Sequence, residues 1–153
     1  MKEGSTLTEH WQDESIGFLM GKTYRKIVMH VTTHLREFDL TPEQFSVLFC
    51  LSKQEGINQK ELALRTAKDQ PTITRILDAL SKKGFIEKKT SETDRRAFLL
   101  MLSPKGREWI ELASPAEAKA IAEVVDGLSQ EELQILRQTL LRITDNVNRH
   151  TKE

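Results

Sequence analysis

Two short helices joined by a tight turn, followed at once by a charged hairpin, most constrain what this chain can become. The stretch runs from Asn58 to Leu102. At its centre Ile73, Ile76, Leu77 and Leu80 recur three and four residues apart, the spacing of one buried helix face. Asp69 stands where an N-cap belongs, Pro71 is tolerated in the first turn, and Gly84 suits the position just past the helix end. Upstream, Asn58-Gln59-Lys60-Glu61 has the spacing of a capping box, and Leu62, Ala63, Leu64 and Ala67 continue as a second, shorter helix. Only two or three residues separate the two helices, which is helix-turn-helix geometry. Downstream, residues 85–90 and 97–102 read as strands joined by the polar loop from Ser91 to Arg96, a hairpin wing.

The flanks are helical. From Ser15 to Phe38 the residues Ile16, Leu19, Met20, Tyr24, Ile27, Val28, Val31 and Leu35 keep helical spacing. Thr41-Pro42-Glu43-Gln44 combines a cap, a proline at the first helical position and a glutamine to close a capping box. Its helix continues through Phe45, Val47, Leu48 and Leu51, and Ile57 is a candidate short strand residue beyond it. Ser103-Pro104 repeats the starting logic, Pro115 predicts a kink or break, and Gly127 a stop. Ser129 to Glu132 is a further capping box. It opens a last helix with a near-heptad stripe of Leu133, Leu136, Leu140, Ile143 and Val147. Residues 1–14 are polar and lack a sustained period, with Trp11 as the one large apolar group there, so a loose segment is expected. The fold class is therefore mainly α with a small β-hairpin wing (α+β): a winged helix-turn-helix with long helices at either end.

Charge enters because the total hides its distribution. The net charge is zero, yet residues 58–107 hold twelve Lys/Arg against six Asp/Glu, leaving the centre basic and the arms acidic. Such a split fits a nucleic-acid reader with a separate assembly region. The bland alternative is an unevenly charged but merely solvated surface. A helix that reads the major groove must bury one face and stay polar at its exposed N-terminal end. Residues 69–83 meet both demands. Thr72 and Thr74 suit phosphates, base edges or a thymine methyl, Gln70 suits adenine or a phosphate, and Arg75 suits guanine or a phosphate. Asp94, Arg95 and Arg96 fall at the wing tip, where arginine suits the minor groove and Asp94 is placed to orient a guanidinium. The candidate DNA-contacting set is Asn58, Gln59, Lys60, Gln70, Pro71, Thr72, Thr74, Arg75, Lys89, Asp94, Arg95 and Arg96.

The order of elements, the run from Ser91 to Ala97 with Asp94 and Arg96, and Leu102-Ser103-Pro104-Lys105-Gly106 resemble the MarR family of winged-helix regulators. So does the run from Thr72 to Leu80 followed by Lys82-Lys83-Gly84. Ser103 stands where that family usually has threonine. The resemblance covers about residues 15–150. It implies a homodimer whose first and last helices interlock, placing two winged domains on successive major grooves of a pseudo-palindromic operator. The expected organisation is a loose segment over 1–14, an N-terminal dimerisation helix over 15–40, the winged helix-turn-helix over 41–102 and C-terminal dimerisation helices over 103–150. The apolar surface of the terminal helices, more than one small domain easily covers, points the same way.

The resemblance also implies regulation, most often repression released by a small aromatic or phenolic effector near the junction of the dimer and DNA-binding regions. Tyr24 and Trp109 are candidates to line such a pocket, although aromatics at helical spacing are more often core. Cys50, in an apolar helix, reads as an inert buried thiol, and the family's peroxide-sensing branch uses a cysteine near the start of the first long helix that is missing here. His30 and His34 have the spacing to share a metal, but no cysteine or carboxylate cluster accompanies them in sequence, so no metal and no cofactor are assigned. A nucleophile-base pair and a phosphate loop are also missing, which argues against an enzyme. With neither a signal-peptide core nor an apolar run of membrane-spanning length, the expectation is a soluble cytoplasmic protein whose partners are double-stranded DNA, a second copy of itself and a small effector. The competing reading is a winged-helix protein-interaction module that has lost strong DNA binding.

Overall fold

The structure, a computed structural model, describes residues 15–151. Trp11 and the segment 1–14 lie outside that range. Six α-helices and one hairpin follow in order: α1 (Ile16–Leu35), a 3-10 turn (Arg36–Phe38), α2 (Pro42–Lys53), α3 (Gln59–Thr66), α4 (Gln70–Lys82), β1 (Ile86–Thr90), β2 (Phe98–Leu102), α5 (Pro104–Val124) and α6 (Gln130–Thr151). The chain divides into two compact units after Ala120.

Caps set most of the boundaries in the first unit. Thr41 accepts from the Gln44 amide at 3.1 Å while the Gln44 side chain accepts from the Thr41 amide at 3.2 Å, the expected reciprocal box. Asn58 caps α3 through the Glu61 amide at 2.8 Å. The other half of that expected box is replaced: the Glu61 carboxylate turns to Arg65 one turn on, also at 2.8 Å. Asp69 caps α4 through the Thr72 amide at 2.8 Å. Gly84, at φ +76°, lets the chain leave α4 in the left-handed conformation that a side chain disfavours.

The core gathers Leu35 from α1, Val47, Leu48 and Leu51 from α2, Leu62 from α3, the Ile73, Ile76, Leu77 and Leu80 face of α4, and Phe85, Leu100 and Leu102 around the hairpin. Each of the four α4 residues is at most 2 % exposed, and burial of such a side chain is worth about 1.5–3 kcal/mol, so the helix is pinned by its apolar face. The hairpin is antiparallel, from Ile86 opposite Leu102 to Thr90 opposite Phe98. Ile57 joins it through an isolated bridge to Leu100, as its sequence position implied.

Pro115 does not break its helix: α5 runs without interruption from Pro104 to Val124. A proline removes one backbone donor, and beside it the Ser114 hydroxyl donates to the Ile110 carbonyl at 2.6 Å. Trp109 packs against the core. Its indole N–H donates to the Phe38 carbonyl at 2.8 Å and its ring stacks on Phe85.

Both terminal helices leave apolar residues in the open. On α1 only Val31 and Leu35 are buried, while Ile16, Leu19 and Tyr24 are exposed. In the second unit, Ser129 and Glu132 form the expected capping box at the start of α6. No residue of α6 is buried, and Ile135, Leu136, Leu140, Leu141 and Val147 all face outward. No helix among the described residues is long and apolar enough to cross a membrane.

Candidate nucleic-acid interface

The N-terminal ends of α3 and α4 and the hairpin present their polar groups together. Gln70, Pro71, Thr74 and Arg75 are exposed along α4, whereas Thr72 is half-buried. Asn58 and Lys60 are exposed at the start of α3, with Gln59 half-buried between them. Asn58, Gln59 and Lys60 line one side of a groove whose other side is Lys88, Arg96 and Phe98 of the hairpin. The helix-turn-helix and the wing therefore form one continuous face.

Lys88, missing from the sequence-derived set, lies in that groove. Lys89, which was in the set, pairs with Leu99 on the opposite face of the ribbon. The period of two held the signal: Lys88 pairs with Leu100, and Leu100 faces the core. Choosing between the two lysines required the register.

The wing tip is built differently from expectation. Asp94 does not orient the Arg96 guanidinium; its carboxylate accepts from the Arg96 backbone N–H at 3.0 Å. Ser91, largely buried, accepts from the amides of Thr93 and Asp94 at 3.3 and 3.2 Å. Its own amide donates to the Ala97 carbonyl, and the Ala97 amide to the Asp94 carbonyl. The tip is thus a hydrogen-bonded turn that holds its backbone and leaves the Arg95 and Arg96 side chains in solvent. Ser91 is a second residue the sequence reading missed, because a serine in a polar loop carries no pattern of its own.

The basic residues divide into two groups. Arg65, Lys83 and Arg107 are tied to Glu61, Asp39 and Glu55 and brace the fold. Lys60, Lys88, Arg95 and Arg96 have no ion pair among the described residues. Arg75 is intermediate, reaching Glu43 of α2 at 3.6 Å with most of its side chain exposed. Such an exposed pair is worth little and yields readily to a phosphate. Asp69 sits at the same end of α4, and the hydrogen bond from the Thr72 amide holds its carboxyl below the ordinary value.

A cavity of about 620 Å³ lies between α1 and α2. Tyr24, Ile27, Val28, Phe45 and Phe49 give it an apolar lining, with Arg25, Glu43, Lys68 and Glu117 adding charge. Burial pushes the Glu117 carboxyl up. Glu43 belongs both to this cavity and to the contact with Arg75. Cys50 is half-buried, and desolvation raises its thiol above the ordinary range. The rings of His30 and His34 have centroids 4.6 Å apart and are tilted at 59°, and His34 Nδ1 lies 3.1 Å from the His30 carbonyl.

Comparison with known proteins agrees with this geometry. Residues 40–98 match the MarR family. The transcriptional regulator MhqR of Bacillus subtilis is 27% identical over 135 residues, covering 88% of this chain and 93% of that protein. The transcriptional repressor CouR bound to a 23-mer DNA duplex superposes with a TM-score of 0.80 at 29% identity, covering 86% of this chain and 93% of CouR. BpsR of Bordetella bronchiseptica, whose DNA binding is regulated by 6-hydroxynicotinic acid, superposes at 0.82 with 26% identity over 86% of this chain and 94% of BpsR. With a winged helix-turn-helix, a basic wing and these relatives, residues 40–98 of the chain are a winged domain of the MarR family of transcriptional regulators.

Proposed function

We propose that this protein is a homodimeric, effector-responsive repressor that places α4 in the major groove and the wing tip in the adjacent minor groove. The observation that carries this reading is that Asn58, Gln59 and Lys60 of the helix-turn-helix share one groove with Lys88 and Arg96 of the wing, while Gln59 is hydrogen-bonded to Thr74 of α4. The CouR complex supports the choice of duplex DNA as partner. The unburied apolar rows on α1 and α6 support a second copy as their cover, and two copies predict half-sites about one helical turn apart. The cavity between α1 and α2 is sized for a small aromatic molecule, a reading supported by the effector of BpsR. Glu43, shared by the cavity wall and Arg75, is where occupancy would be felt by the DNA-reading helix.

The test is selection of duplexes from a random library by the full-length protein, followed by titration at several salt concentrations. A two-fold related consensus and an affinity falling steeply with salt are expected. Enrichment of no sequence, or salt-independent binding, would refute the reading. Release of the selected duplex by a hydroxylated aromatic acid tests the effector assignment separately.

A further inference from the structure

We propose that Gln59 and Gln70 act as one base-reading unit, set by Thr74, that selects an A·T pair in each half-site. The inference rests on the reading above that α4 enters the major groove.

The network fixes which way each amide points. The Thr74 hydroxyl donates to the Gln70 backbone carbonyl at 3.0 Å, so its single proton is committed within the helix. Facing the Gln59 side chain at 2.7 Å, that hydroxyl can only accept, and Gln59 must present its NH₂. The same NH₂ lies 3.4 Å from the Gln70 side-chain oxygen, which takes its second hydrogen. Both hydrogens of Gln59 are therefore turned inward. What remains unengaged is the Gln59 carbonyl, an acceptor, and the Gln70 NH₂, a donor; neither has a partner among the described residues.

A donor beside an acceptor complements adenine, whose major-groove edge shows the N7 acceptor next to the N6 donor. Guanine offers acceptors at both N7 and O6, and the second would face the Gln59 carbonyl unpaired. Cytosine offers a lone donor and thymine a lone acceptor, so each satisfies half of the unit. A single glutamine normally makes both contacts with one flexible amide. Here two amides from different helices share the task, and the bonds from the Gln59 NH₂ to Thr74 and to the Gln70 side-chain oxygen hold them together. Thr74 is a positioning residue: its hydroxyl is spent within the protein.

Duplexes are selected by the full-length wild-type chain and by its Gln59→Met, Thr74→Val and Thr74→Ser variants. Each variant is then titrated against the wild-type consensus, point-substituted consensus duplexes and an unrelated duplex at one salt concentration. The wild type is expected to require A·T at one position of each half-site. Gln59→Met should lower that preference roughly tenfold, within the scale of base discrimination by side-chain contacts. Thr74→Val should relax the same position without touching DNA, and Thr74→Ser should restore it. If Gln59→Met keeps the wild-type preference, or if the consensus has no A·T-restricted position, the paired reading is wrong while DNA recognition itself stands. If Thr74→Val keeps full preference, the positioning role is wrong. Failure of the wild type to enrich any sequence overturns the parent reading along with this one.

Discussion

Gly106 and the Phe85 carbonyl meet with no room between them: a Cβ on Gly106 would fall 2.0 Å from the Phe85 oxygen. That carbonyl accepts from the Ser103 amide at 3.0 Å, and Ser103 in turn caps the first turn of α5 through the Gly106 amide at 2.9 Å. The exit of α4, the root of the wing and the start of α5 are locked at one point. Because the obstacle is backbone, Gly106→Ala must shift the α5 start as a body. A loss of about 1–3 kcal/mol is expected, the usual scale of overpacking. For a chain of this size each kcal/mol lowers the midpoint by about 2–4 °C, readable in a thermal melt at fixed protein concentration.

The wing prediction separates two adjacent lysines. Lys88 faces the groove beside Lys60 and Arg96, and Lys89 lies on the other face of the ribbon. Lys88→Ala and Arg96→Ala should each weaken binding across all sequences and lower the salt slope by about one. Lys89→Ala should change the slope less. Equal slopes for the two lysine variants would mean the ribbon docks by its opposite face.

Asp69 gives a pH dependence with a definite sign. Its folded-state pKa lies below the ordinary value of 3.8, because the carboxylate accepts the Thr72 amide. Its contribution is therefore present above that ordinary value and disappears as pH falls through the lower, folded-state value. Asp69→Asn keeps a capping oxygen without the titration. The urea midpoint of the wild type should exceed that of the variant by more at about pH 6 than at about pH 2. A constant difference would assign the cap no charge-dependent part.

Assembly has its own test. Removal of everything after Gly127 deletes α6, which carries the exposed apolar residues Ile135, Leu136, Leu140, Leu141 and Val147. The truncated protein is expected to be monomeric by light scattering and to lose most of its operator affinity, since two half-sites would no longer be bound as one. A dimeric mass after truncation would assign assembly to α1 alone.

Cys50 should be a poor redox sensor. Desolvation raises its pKa, so little thiolate forms near neutral pH, and the thiolate is the reactive species. Peroxide treatment followed by a mobility-shift titration should leave wild type and Cys50→Ser alike. Release of the duplex from the wild type alone would contradict this.

Much of the molecule was legible before any coordinates. The face Ile73, Ile76, Leu77 and Leu80, the caps Thr41, Asn58 and Asp69 and the stop at Gly84 are local signals, because helix period and capping depend on residues three or four apart. Those signals determined the order of helix, turn, helix and wing, and with it the family. What they could not carry were relations across the chain. Pro115 reads as a kink or a break from its neighbours, and the helix runs through it without a break. Lys88 and Lys89 are equivalent in sequence, and only the pairing of β1 with β2 tells their faces apart. Asp94 next to two arginines reads as a charge partner, while the turn spends it on a backbone amide. The hydrogen bond from Gln59 to Thr74 joins side chains fifteen positions apart, and the contact from Gly106 to Phe85 spans twenty-one. Sequence determined which helices form and which face each one buries, because those are properties of a single segment. Tertiary structure decided which polar groups meet, because that depends on the packing of segments whose separation along the chain leaves no periodic trace.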